Sequence, residues 1–233
     1  LLKVKQIVFE KSKEVFDYDG EDADWFFDNF HSLDISTEEL NTKRIEIIQY
    51  CTDSTNVNEL IFEAFQQPIF ELLGRDIMVQ KVTNLVIQPP GDLNTSEPHR
   101  DTPTDSYYSI VIWVPMTDSY GTKTLNILNL EQSNDAFDMI QNNPDNWTSP
   151  QSSVLENGNA VEVPFGSAII LWPHLYHGSK VNEEKETRWT LNIRYINAFA
   201  PKGHKNPFDY FKLLCLSPLT QLALEAEKKE LLK

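Results

Sequence analysis

The sequence predicts a mainly β fold with flanking helices, its core a double-stranded β-helix (a jelly roll, cupin-like). Three observations predict it. Residues 1–78 carry apolar side chains at helical spacing; residues 79–200 hold short runs rich in Val, Ile, Tyr and Trp, punctuated by Gly, Pro, Asn and Asp; residues 201–233 return to a helical pattern. Helices first, many short strands in the middle and a helix last fit a two-sheet core with helices packed outside it. With 233 residues, 40% apolar and 11% aromatic, the chain is long enough for a single domain with a sizeable core.

The N-terminal region supplies the predicted helices. Asp22–Phe30 places its apolar residues on one face. Ser36–Cys51 opens with Ser36 followed three residues later by Glu39, a capping-box pattern. Between Asn56 and Arg75, Leu60, Ile61, Phe65, Ile69, Leu72 and Leu73 recur with a helical period, and Pro68 marks a break or kink. Strands are predicted over Val82–Gly91, Tyr107–Thr117, Thr124–Leu130, Ala160–Trp172 and Arg188–Asn197. Residues 131–159 are polar with little period and read as a long lid-like loop. Ser217-Pro218 reads as an N-cap and first-turn proline for the last helix.

Composition narrows the partners. A net charge of −15 argues against nucleic acid and against an anionic membrane, both of which need a basic surface. No apolar run approaches the roughly 20 residues that span a bilayer. Cys51 and Cys215 show neither metal spacing nor a disulfide framework, which favours a reducing compartment. The opening LLKVKQIVF is too short and too charged for a signal peptide. The expectation is a soluble, cytoplasmic protein that acts on a small molecule.

Two stretches carry the chemistry. PHRDTPTD places His99 and Asp101 two residues apart before a predicted strand, and on an extended chain both side chains lie on one side. HLYHGSKVNEEKETR follows, with His174 and, 76 residues after Asp101, His177 as candidate imidazoles and Arg188 opening a strand. Two imidazoles and one carboxylate on one face of an octahedron, with three positions open, suit a non-haem ferrous centre. An arginine beyond the second histidine is suited to clamp a carboxylate.

In these residues the chain resembles the Fe(II)/2-oxoglutarate-dependent dioxygenases, specifically the phytanoyl-CoA-hydroxylase-like branch. That branch carries His-x-Asp, a distal HGSxxN and an Arg eleven residues after the distal His; HRD and HGSKVNEEKETR match in order and spacing. The likeness spans about residues 80–197 and extends more loosely to oxygenases of bacterial carbohydrate-biosynthesis clusters. It implies a jelly-roll core, Fe(II) held by His99, Asp101 and His177, O2 as oxidant, and Arg188 holding the far carboxylate of 2-oxoglutarate. It also implies hydroxylation of the substrate with release of succinate and CO2. The chain departs from the branch after Gly121-Thr122-Lys123-Thr124-Leu125, where ILNLEQS replaces the usual Pro-Gly-Ser-His.

Asn84 and Lys123 are further candidates for cosubstrate contacts, and Arg100, Trp113 and Tyr107 for substrate contacts. Arg194, on the same predicted face as Arg188, is either an ion-pair residue or a ligand contact. The many Asn, Gln, Ser and Asp of 131–159 suit a hydroxylated ligand such as a sugar or nucleotide sugar. Two other readings use the same residues: a cupin-like metalloenzyme without 2-oxoglutarate, and a non-catalytic jelly-roll binding module.

Overall fold

The computed structural model describes residues 1–142, 156–205 and 207–231. Five helices form the first third: α1 (Leu2–Phe16), α2 (Ala23–Asn29), α3 (Thr37–Asp53), α4 (Val57–Ala64) and α5 (Gln66–Leu73). Val4, Val8, Phe9 and Phe16 form the buried stripe of α1. The side chain of Asp22 caps α2 by accepting from the Trp25 amide, and that of Ser36 caps α3 by accepting from the Glu39 amide. The break expected near Pro68 falls at Phe65, which leaves Pro68 in the first turn of α5, where its missing N–H costs nothing.

Among the described residues, nine strands build two antiparallel sheets. They are β1 (Ile77–Gln80), β2 (Asn84–Gln88), β3 (Ser109–Pro115), β4 (Leu125–Ile127), β5 (Asn159–Ala160), β6 (Ile169–Leu171), β7 (His177–Ser179), β8 (Arg188–Asn197) and β9 (Phe211–Cys215). The larger sheet runs β6-β3-β8-β1-β9, with β2 also paired to β8; the smaller runs β5-β4-β7. At ten residues, β8 pairs with β3 along one side and with β2 and then β1 along the other.

Strand alternation sorts the side chains into two layers. Ile110, Ile112, Val114, Trp189, Leu191, Ile193 and Tyr195 join the helices in the main apolar cluster. Val111, Trp113, Arg188, Thr190, Asn192 and Arg194 face the opposite way, into a chamber that Leu125, His177 and Ser179 of the smaller sheet also line. Trp189 meets Phe26, Phe27 and Phe30 with ring centroids 5.8, 5.1 and 5.0 Å away, locking α2 and the turn after it onto β8.

The structure corrects several expectations. Residues 130–142 form a helix, α6 (Leu130–Asn142), rather than the start of a loop. Asn129 and Gln132 cap each other's backbone amides at its start, and Ala136 packs with Leu128 and Tyr176. The rest of the predicted lid, 143–155, lies outside the described residues. The single strand expected over Ala160–Trp172 is divided between β5 and β6 by the turn at Gly166, whose φ of 96° suits glycine. The C-terminal segment contains more than a helix: α7 (Pro207–Tyr210) and β9 precede α8 (Pro218–Leu231), and β9 closes the edge of the larger sheet against β1. Among the described residues no helix is long and apolar enough to cross a membrane.

Candidate metal centre and its chamber

His99 and His177 meet through the backbone. Each donates its amide to the other's carbonyl, at 2.8 and 2.9 Å, forming an isolated antiparallel bridge beside β7. Gly178 permits this approach: a Cβ there would stand 2.9 Å from the Cα of Pro98. Asp101 is fixed by the turn between β6 and β7, its amide donating to the Pro173 carbonyl at 2.9 Å. The 76 residues separating the two halves of the site thus collapse into two backbone clamps.

The side chains converge accordingly. One ligand atom from each of His99, Asp101 and His177 lies within 4.8 Å of the other two. Nε2 of His99 stands 3.4 Å from Oδ1 of Asp101; neighbouring donors about 2.1 Å from one ion would lie about 3 Å apart. Nδ1 of His99 is 2.6 Å from the Glu97 carbonyl, and Nδ1 of His177 is 2.9 Å from the Leu175 carbonyl. A carbonyl only accepts, so each ring carries a proton on Nδ1, and in the neutral imidazole this leaves Nε2 as a lone pair, the tautomer a metal ligand requires. The donor set therefore fits a divalent transition metal.

Electrostatics favour the neutral ring at His177 and the ionised carboxylate at Asp101, whereas at His99 the neighbouring carboxylate favours a proton that a metal would have to displace. Burial pushes the His177 imidazole below its ordinary pKa, and the His99 ring beside it adds to this. The hydrogen bond to Asp101 raises His99 against the effect of burial. Burial alone would raise Asp101, but His99, Arg194 and His177 hold its carboxyl well below the usual carboxylate range.

Arg188 lies across the chamber. The residue is 4% exposed; its guanidinium donates from Nη1 to the Thr124 carbonyl at 3.2 Å and from Nη2 to Ser179 Oγ at 3.0 Å, and leaves Nε without a partner. Burial lowers its pKa to about 10. Thr190 Oγ1 and Asn192 Oδ1 are also buried without hydrogen bonds. The chamber of about 150 Å³ is smaller than the roughly 300–1,000 Å³ of sites for drug-sized ligands. Among the described residues no carboxylate stands beside this buried cation, which leaves it and its unpaired polar neighbours with capacity for further hydrogen bonds.

The remaining candidates separate. Asn84, paired with Asn192 across β2 and β8, and Trp113 line the chamber. Tyr107 does not: it precedes β3 and lines a different cavity with Tyr108 and Trp172 on the outer side of the sheet. Arg100 turns away from the triad, its guanidinium 3.8 Å from the ring centroid of Phe137 on α6 and 3.3 Å from Nδ1 of His174. Lys123 lies outside the chamber, in a third cavity, where it stands 3.6 Å from both Asp28 and Glu186. Thr190 and Asn192 were not anticipated; the signal for them is the two-residue period of the strand that starts at Arg188.

No protein-family model matches the chain, and no curated protein matches it in sequence. Solved structures do resemble it. ThoJ, a non-haem monooxygenase determined as a nickel complex, has a TM-score of 0.51 at 16% identity, covering 85% of this chain and 72% of ThoJ. Apo HygX from Streptomyces hygroscopicus has a TM-score of 0.50 at 12% identity, covering 71% of this chain and 79% of HygX. The chain therefore shares the fold on which a non-haem monooxygenase is built.

Proposed function

We propose that this protein is a non-haem Fe(II)/2-oxoglutarate-dependent dioxygenase that hydroxylates a small polar metabolite of the sugar or nucleotide-sugar class. The observation that carries the reading is the pairing of two elements across one small chamber. On one side stand two imidazoles that turn Nε2 towards a shared point and a carboxylate; on the other stands a buried guanidinium that has no counter-ion among the described residues. His99, Asp101 and His177 would hold the iron. When bound, the iron would supply the activation of dioxygen. Arg188 receives the distal carboxylate, with the Ser179 hydroxyl beside it. Val111, Trp113, Leu125 and Leu171 exclude water from the space between. Overall, a substrate C–H becomes C–OH while 2-oxoglutarate and O2 become succinate and CO2. The polar side chains of Asn84 and Ser96 in the chamber lining support a hydroxylated substrate.

The test is anaerobic Fe(II) loading followed by 2-oxoglutarate. A weak visible charge-transfer band is expected, and then succinate release when sugars, nucleotide sugars and acyl compounds are screened in air. Iron-loaded protein without a band would leave a binding module. Arg188→Ala should raise the 2-oxoglutarate requirement sharply; an unchanged requirement would leave a metalloenzyme of another kind.

A further inference from the structure

The two oxygens of Asp101 face different partners. Oδ1 faces the His99 imidazole, while Oδ2 accepts from Arg194 Nη2 at 3.0 Å. Arg194 lies on the chamber side of β8, and its Nε donates to Asp105, which also pairs with Lys205. The side chains of Asp101, Arg194 and Asp105 are 12, 15 and 3% exposed, so the chain of contacts is shielded from solvent. The Asp105 amide donates back to the Asp101 carbonyl at 2.9 Å, which closes the loop that carries both acids.

We propose that Arg194 is a positioning residue that keeps Asp101 a one-oxygen ligand and thereby sets how many metal positions stay open. This rests on the metal reading above. A six-coordinate ion held by three protein atoms keeps three positions. A carboxylate that rotates to bind through both oxygens removes one of them, and a chelating cosubstrate plus dioxygen need all three. With Oδ2 bound to the guanidinium, that rotation breaks a charge-assisted hydrogen bond. Asp105 balances the guanidinium, so a fixed cation can stand behind the ligand without repelling a divalent ion. The arrangement requires arginine: one planar fork reaches two carboxylates, and a lysine ammonium is a point charge.

The experiment uses Co(II) as the probe, read by calorimetry and by its visible ligand-field spectrum, on wild type, Arg194→Met and Arg194→Lys. Wild type is expected to bind one Co(II). Arg194→Met should bind it with an altered spectrum, because a second carboxylate oxygen is free to reach the ion. Arg194→Lys should also show an altered spectrum, because charge returns and the planar fork that fixes Oδ2 does not. If wild type binds no Co(II), the metal reading itself fails. If wild type binds and both variants reproduce its spectrum, the metal centre stands and the role of Arg194 is overturned. Should Arg194→Met not fold, the Arg194→Lys spectrum alone decides, a wild-type spectrum refuting the proposal.

Discussion

Arg188 offers the sharpest test, because its burial should make the ligand-free protein less stable than it need be. Among the described residues no carboxylate lies within ion-pairing distance of it, and its two hydrogen bonds go to neutral groups. A pKa lowered from the usual 12.5 to about 10 corresponds to about 3 kcal/mol against the charged form, at about 1.4 kcal/mol per pH unit. Arg188→Met removes the charge and keeps much of the volume. It also loses two hydrogen bonds worth about 1 kcal/mol each. The balance is a stabilisation of about 1 kcal/mol, or a rise of about 2–4 °C in Tm for a chain of this size. Exchanging a buried charge for an apolar residue is often neutral or stabilising in this way.

The ligand should reverse the order. With Mn(II) as a redox-inert stand-in and 2-oxoglutarate at 100 times its Kd, wild type gains about 2.7 kcal/mol by linkage. The variant, lacking the receptor for the distal carboxylate, should gain far less at the same concentration. Thermal melts of both proteins, with and without 2-oxoglutarate, should therefore cross. If the variant loses 2 kcal/mol or more without ligand and still responds to 2-oxoglutarate like wild type, Arg188 is a structural cation and the chamber is not a carboxylate site.

Three further outcomes are expected. Gly178→Ala should push Pro98 off β7, spread the His99–His177 bridge and weaken Co(II) binding at least tenfold, with roughly 1–3 kcal/mol lost to overpacking; unchanged binding would show that the bridge does not set the ligand spacing. Lys123→Met should cost roughly 2 kcal/mol in urea denaturation, below the usual penalty for breaking a buried pair because Asp28 and Glu186 are each 32% exposed, while 2-oxoglutarate affinity stays constant; a fall in affinity without a fall in stability would return Lys123 to the cosubstrate site. Burial raises the Cys51 thiol from 9.0 to about 12, so at pH 8 an aromatic disulfide reagent should label the half-buried Cys215 first and Cys51 only on unfolding. The same shift contributes stability that is complete below pH 9 and is lost as pH rises towards 12; equal labelling rates in the native protein would contradict this.

The candidate ligands were legible in the sequence because coordination chemistry restricts residue types severely. An imidazole and a carboxylate two apart, a second imidazole and a guanidinium leave few other uses when they flank strands. The helix caps at Asp22 and Ser36 are similarly local. What escaped depends on partners distant in sequence. β1 is four residues long and β9 five, too short for alternation to declare itself; β1 is a strand because β8 and β9 flank it, and β9 because β1 lies alongside. The Asn- and Asp-rich α6 reads as loop, although Asn129 and Gln132 already mark its start. Lys123 is a single basic residue near a strand, and only the fold brings Asp28 and Glu186 to it from opposite ends of the chain. Tyr107 shares the parity of Trp113 but lies before β3 begins, where the pleat no longer governs its direction.

The phase of β8 joins stability to chemistry in a way that the motif residues alone do not explain. Shifting the register of this strand by one residue would turn Trp189, Leu191, Ile193 and Tyr195 into the chamber and Arg188, Thr190, Asn192 and Arg194 into the apolar core. The groups that forbid the shift belong to the N-terminal helices. Phe26, Phe27 and Phe30 enclose Trp189, and the carbonyl of Asn58 accepts the Tyr195 hydroxyl at 2.7 Å. Fully burying each large apolar side chain is worth about 1.5–3 kcal/mol, so a slip would forfeit several such contributions and bury two guanidinium groups among aromatic rings. The helices are thus more than a covering layer. By fixing the outward row of β8 they fix its inward row, and with it the separation between a buried cation near one end of the strand and the carboxylate-bound arginine three pleats along.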